Sequence, residues 1–207
     1  MMRRMTRIYL LRHGFVENPE HLFYGPAFVL SERGKTQIGE VAQDMVAAGV
    51  QPAAVRYSPF QRTTDSMKRF VETIACSDVH VDERLVEWRV GAWLDRPLAD
   101  FYAATHYDTP EWTFDPAMET HPQMALRVLE VIREMCAAHP DRDVVLISHR
   151  EPIVCTLLAL QMLPFSQVHD IACPIASAWE ICFDGDRLVS AKKAFDRSAD
   201  GHAQTMG

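Results

Sequence analysis

Apolar residues along this 207-residue chain fall into two rhythms. Short apolar runs stopped by turn residues predict buried strands, and apolar positions three and four apart predict helices packed on one face. Residues 7–11 predict a first strand, halted at Arg12-His13-Gly14; residues 54–57 predict a second and 79–81 a third. Residues 143–147 form the most strand-like run of the chain. Ser31 is placed to cap a helix reaching about Ala48, ended by Gly49 and Pro52. Ser58-Pro59 opens another that runs to about Ala75, with proline in a tolerated first-turn position. A helix starts at His121, where Leu126, Leu129, Ile132 and Cys136 share a mostly apolar face, and an apolar helix spans about 152–160. Residues 177–183 and 187–195 flank Asp184-Gly185-Asp186 as a terminal hairpin.

Two stretches break the rhythm. Residues 15–30 hold Pro19, Gly25 and Pro26 without a period and predict a long loop, and such loops inside domains are usually functional. Residues 87–121 crowd Trp88, Trp93, Phe101, Tyr102, Tyr107, Trp112 and Phe114 among Pro97, Pro110 and Pro116. This predicts an inserted lobe, helical near 98–105, that either roofs a pocket or forms an aromatic satellite core. Alternating strands and helices give an α/β class: a three-layer α/β/α sandwich on a mostly parallel sheet. The expected organisation is one domain over residues 1–207, with a cap insertion at about 88–120 and a loose tail after about 197.

Composition narrows the partners. A hydrophobic share of 48% with 24% charged residues is that of a globular chain. A net charge of −7 argues against nucleic acid or an anionic membrane as partner, but leaves room for a small anion held by a local arginine cluster. No apolar run is long enough to span a membrane, and the one behind the basic start, 8–11, is too short for a signal peptide. Five scattered cysteines without a paired spacing predict buried reduced thiols in a cytoplasmic protein rather than disulfides or a zinc site.

Chemistry gathers where strands end. In α/β sheets ligands bind beyond the carboxyl ends of the strands, and three predicted ends carry Arg12-His13, Ser58 to Arg62, and Ser148-His149. Two histidines and two arginines at such ends are hard to explain as packing. The set suits a phosphoryl group in flight, whose equatorial oxygens want planar guanidinium donors. A neutral imidazole can attack phosphorus, and a protonated carboxyl can supply the leaving oxygen's proton. Nothing in this scheme calls for a metal or a cofactor.

Leu11-Arg12-His13-Gly14 resembles the signature of the histidine phosphatase superfamily, the phosphoglycerate-mutase-like fold. Tyr24-Gly25 and Leu30-Ser31-Glu32-Arg33-Gly34-Lys35-Thr36-Gln37 are similar to its loop and Leu-Ser/Thr-x-x-Gly-x-x-Gln segment. Ser58-Pro59-Phe60-Gln61-Arg62-Thr63, Leu85-Val86-Glu87, Gly91-Ala92-Trp93, Glu119-Thr120 with Arg127, and Val145-Leu146-Ile147-Ser148-His149 follow in family order. The resemblance implies that His13 is the phosphorylated nucleophile and that Arg12, Arg62 and His149 complete the phosphate pocket. It makes Glu87 the proton donor, with Glu17 and Glu83 as rivals. Ser58, Asn18 and Arg150 are further candidates for phosphate; for Ser58, capping of the following helix is an equal explanation.

Two positions depart from the family pattern. Phe15 stands where Glu or Gln is common, and Arg150 follows the second histidine where Gly is usual. Arg150 either disturbs that backbone or adds a positive group at the rim, where Glu151 could pair with it. Hydrolysis of a small phosphorylated substrate is the first expectation. A phosphoglycerate-mutase-type transfer is second, weakened because Arg89 and Arg96 are the only arginines or lysines between Trp88 and Thr120. A non-catalytic phospholigand-binding module is third. The apolar helix faces suit a core or a homodimer interface alike.

Overall fold

Along the central strands, successive side chains point to opposite faces, and both faces are apolar. Ile8 and Leu10 of β1 (Thr6–Arg12) join one core with Val144 and Leu146 of β4 (Asp143–Ser148); Tyr9, Leu11, Val145 and Ile147 join the other. A strand buried on both sides must be covered by helices on both sides. The computed structural model, which describes residues 5–107 and 116–198, shows that cover. α1 (Glu32–Ala47) and α2 (Gln61–Val71) pack through Ile38, Val41, Met45 and Phe70 on one face. α4 (His121–Ala138) and α5 (Arg150–Leu160) pack through Met124, Val128, Ile153 and Leu157 on the other.

The six strands lie in the order β3-β2-β4-β1-β5-β6, with β2 at Pro52–Tyr57, β3 at Val79–Val81, β5 at Ser177–Asp184 and β6 at Arg187–Asp196. The first four strands of that order run parallel; β5 lies antiparallel to β1, and β6 antiparallel to β5. Gly185, at φ +60°, turns the final hairpin. The class is α/β, as the pattern predicts.

Helix starts differ from the sequence expectation in two places. α2 begins at Gln61, after Pro59, because Phe60 is extended (φ −63°, ψ 144°) and is itself the N-cap. Ser58 therefore does not cap the helix: its hydroxyl accepts from the Phe60 N–H at 3.4 Å and closes a bend before it. The helix also stops at Val71, short of Ala75. α5 starts at Arg150 because His149 is extended and its carbonyl already accepts from Ile153. Pro152 then falls in the first turn, where a missing N–H leaves no bond unmade.

Between Trp88 and Met118 the described aromatic residues pack into the main core on the α4–α5 side. Phe101 of α3 (Leu98–Thr105) is fully buried, with Phe23 edge-on at 4.8 Å and Trp88 at 5.8 Å. Trp112 and Phe114 lie outside the described residues. The same segment is stitched to the early loop: the Phe23 N–H donates to Arg96, the Asp95 N–H to Phe23 and the Leu98 N–H to His21. Loop and lobe are thus one hydrogen-bonded layer. Among the described residues no helix is long and apolar enough to cross a membrane.

Candidate active site

Three neighbouring strands, β2, β4 and β1, deliver their carboxyl ends side by side. The backbone sews these ends together: the His13 N–H donates to the Ser148 carbonyl and the Ser58 N–H to the Ile147 carbonyl, both at 3.1 Å. Gly14 then passes against α1 so closely that a Cβ there would lie 2.4 Å from the Gly34 carbonyl oxygen. Gly34 has the reciprocal constraint, since its own Cβ would meet the Phe15 carbonyl oxygen at 2.3 Å. Gln37, one turn along α1, accepts from the Phe15 N–H at 3.2 Å. These contacts fix the chain leaving His13.

His13 is fully buried. Its Nδ1 lies 2.7 Å from the Gly14 carbonyl oxygen, and its Nε2 lies 3.3 Å from Arg62 Nε. A carbonyl only accepts and a guanidinium only donates. Nδ1 therefore carries the hydrogen, and the lone pair is on Nε2. Burial, reinforced by Arg62 and then Arg12, holds the imidazole well below its ordinary pKa, so it is neutral near pH 7. The ring is fixed in the tautomer and charge state that a nitrogen nucleophile needs.

Arg62 is held on three sides. Its Nη1 donates to the Gly25 carbonyl at 3.0 Å, and its guanidinium carbon lies 4.6 Å from the Tyr24 ring centroid and 5.0 Å from that of Phe60. Arg12, also buried, donates from Nη1 to the Cys173 carbonyl at 2.7 Å. Two buried guanidiniums beside a neutral imidazole give a strongly positive pocket in an acidic protein.

His149 faces His13 edge to ring at 5.2 Å between centroids, and its Nε2 lies 2.8 Å from Ser58 Oγ. Burial, then Arg62 and His13, holds it neutral as well. Its Nδ1 is 3.8 Å from Glu87 Oε2. Among the described residues, neither of those two buried atoms has a hydrogen-bond partner. Buried polar atoms in folded proteins are nearly always bonded, so a facing pair of this kind marks a place built for something polar.

Glu87 Oε1 accepts from the Trp88 N–H at 2.9 Å. Burial, and after it the charge of Glu151, pushes the Glu87 carboxyl up to about 8, against the pull of Arg62. Its backbone is clamped from α4: Arg127 donates to the carbonyls of Arg84 and Glu87 while its Nε and Nη2 bond Glu119 at 2.7 and 3.0 Å. Removing one member of such a buried pair leaves an uncompensated charge, at a cost of about 3–5 kcal/mol. The Glu119 and Arg127 motif thus supports the Glu87 segment.

Arg12, His13, Ser58, Arg62, Glu87 and His149 are brought together. Asn18 is not seen to join them: its side chain donates to the Leu22 carbonyl and accepts from the Leu22 N–H, closing a turn in the loop. Arg150 is buried and bonded to Glu151 and the Val168 carbonyl, not set at a rim. Glu17 and Glu83 are exposed. Sequence reasoning missed the Gly25 and Cys173 carbonyls that aim the two arginines, because backbone acceptors leave no mark in composition. It also missed the rings of Tyr24 and Phe60 around Arg62, although both lie inside quoted motifs.

Known proteins share the sequence and fold of this chain. A Mycobacterium tuberculosis protein, Rv0525, is 28% identical over 204 aligned residues, covering 91% of this chain and 95% of its own. The mycobacterial glucosyl-3-phosphoglycerate phosphatase solved with VO3 is 28% identical with a TM-score of 0.70, covering 84% of this chain and 92% of its own. Phosphoserine phosphatase from Entamoeba histolytica, at 19% identity and a TM-score of 0.78, covers 94% of this chain and 99% of its own and shares the fold. Residues 8–195 match the histidine phosphatase superfamily (branch 1), so the chain belongs to that superfamily.

Proposed function

We propose that this protein hydrolyses a small phosphomonoester through a phosphohistidine on His13. The observation that carries the reading is the tautomer: Nδ1–H is held by the Gly14 carbonyl, and the Nε2 lone pair faces Arg62. Nε2 attacks phosphorus as the ester P–O bond breaks, and Glu87 gives its proton to the leaving oxygen. Water then attacks the phosphohistidine, Glu87 takes a proton from it, and the N–P bond breaks to release phosphate. Arg12, Arg62 and His149 spread the charge of the transferring group in both steps. Ser58 orients His149 through the 2.8 Å contact.

Support for a hydrolase over a mutase comes from the lobe. A mutase needs cations for a second anionic group, yet Arg96 lies over the Trp93 ring at 4.9 Å and Arg89 reaches Glu119 at 3.7 Å. Both lobe arginines are engaged within the lobe and its support. One of the similar structures, at 28% identity, is a glucosyl-3-phosphoglycerate phosphatase, and a small phosphorylated metabolite is the substrate class we assign here.

Hydrolysis of an alkyl phosphate, whose leaving oxygen needs a proton, followed from pH 5 to 9 with and without EDTA, tests this reading. Turnover is expected to be unaffected by chelator, since the guanidiniums of Arg12 and Arg62 meet the phosphate charge. The first step needs Glu87 protonated, so kcat/KM falls above about pH 8 as that proton is lost. His13 is held well below its ordinary pKa by burial and the two arginines, so it is neutral on the alkaline side where Glu87 loses its proton. Loss of activity in EDTA, restored by a metal, would overturn the scheme.

A further inference from the structure

On the Arg62 side the site is bordered by residues 22–31 and 57–61, and neither segment holds an Asp, Glu, Lys, Arg or His. Backbone bonds join the two: the Gln61 N–H donates to the Pro26 carbonyl at 2.8 Å, and Arg62 Nη1 to that of Gly25 at 3.0 Å. Rings run in a row along this border. Phe28 lies 5.3 Å from Tyr24, Tyr24 covers Arg62 at 4.6 Å, and Phe60 lies 5.0 Å from Arg62 and 5.2 Å from the His149 ring. Phe60 thus touches two groups that meet the phosphate.

Local structure does not ask for a phenyl ring there. Phe60 is the N-cap of α2, where Ser, Thr, Asp or Asn would bond a free N–H, and its side chain makes no such bond. The core does not consume the ring either. Tyr24 is buried, but Phe60 and Phe28 are only half-buried, and Val29 is 61% exposed. An open apolar surface beside a charged pocket suits a ligand with one anionic end and one apolar end. A second anion would find the reverse of what it needs. Asp65 and Asp95, at the edges of the border, accept from the Leu30 and Gly25 N–H groups at 3.3 and 3.2 Å. Arg33, the next cation along the chain, lies over the Phe15 ring at 4.9 Å.

We propose that Phe60 is a specificity-determining residue: its open face carries the leaving group, and the substrate is the phosphomonoester of an apolar, ring-bearing alcohol. This rests on the reading of the site as a phosphomonoester hydrolase. Within that reading it narrows the substrate to one whose alcohol part bears no second anionic group.

The test compares 3-phenylpropyl phosphate, propyl phosphate and 3-phosphoglycerate, all esters of alkyl alcohols that leave with a proton. Wild-type kcat/KM is expected to be highest for the phenylpropyl ester. In Phe60→Ala the ratio of phenylpropyl to propyl kcat/KM is expected to fall about tenfold, the scale of one lost ring contact. Phe60→Leu, which keeps an apolar surface without the ring, is expected to fall between the two. Whatever Arg62 and His149 lose with the ring weakens both esters alike, so the ratio isolates contact with the leaving group. Binding of phenylpropylphosphonate and propylphosphonate, measured by calorimetry on the same three proteins, reads the preference without turnover. That measurement decides the proposal even if the wild-type protein hydrolyses no ester. Equal wild-type affinity for the two phosphonates, or a ratio unchanged in folded Phe60→Ala, overturns it.

Discussion

Replacing His13 by alanine is expected to abolish phosphoester hydrolysis, by about 10⁴-fold or more, the scale on which removal of a covalent nucleophile acts. The protein should stay folded. His13 makes its side-chain bonds to the neighbouring Gly14 carbonyl and to Arg62, and the strand-end ladder to Ser148 runs through its backbone. The two arginines keep their separate supports on Gly25 and Cys173. Phosphate or vanadate should therefore still bind in His13→Ala, while steady-state turnover is lost. Retention of more than about a hundredth of wild-type activity would mean that water attacks the ester directly, with the imidazole in a supporting role.

Glu87→Gln is expected to have the second largest effect, and an unequal one. General acid catalysis contributes about 10²–10⁴-fold, and it matters most when the leaving oxygen is a poor one. An alkyl phosphate should lose that full range in kcat/KM. An aryl phosphate with a good leaving group should lose much less, because its oxygen departs without a proton. Hydrolysis of the phosphoenzyme still needs a base, so aryl phosphate should give a burst followed by slow turnover. Equal losses on both ester types, with no burst, would assign Glu87 to structure and turn attention elsewhere. The carboxyl is well placed for both halves of the cycle. One oxygen is held by the Trp88 N–H, and the other faces His149 with no partner among the described residues.

Much of the sheet was legible because its central strands are apolar on both faces and bounded by turn residues. Helix beginnings were harder. At Ser58-Pro59 the local chemistry suggests a cap and a first-turn proline, but the tertiary bonds around Phe60 and the Ser58–His149 contact decide otherwise. At Arg150 an extended His149 starts the helix two residues earlier than the proline suggests. The lobe was legible as aromatic, but not in its destination, since nothing local tells a roof from a core wedge. Phe101 and Trp88 show that its described part packs inward.

Strand-end position and motif order picked out His13, Arg12, Arg62 and His149, and the fold gathers them. For Glu87 the residues alone were uninformative; the motif supplied the candidate, and burial supplies its elevated pKa. Asn18 and Arg150 show the opposite case. Each stands close in sequence to a site residue, yet each side chain is bonded elsewhere, Asn18 to Leu22 and Arg150 to Glu151 and the Val168 carbonyl. Closeness along the chain does not set the direction of a side chain.

The central claim is a covalent phosphohistidine on one identified nitrogen, and it can be tested by trapping. Glu87→Gln, mixed with aryl phosphate and quenched within the burst, is expected to carry one acid-labile, base-stable phosphoryl group. Peptide mapping should place it on His13, and 31P NMR of the denatured protein should assign it to Nε2. A label at any other residue, or on Nδ1, or no label in a protein that hydrolyses the ester, would contradict the account.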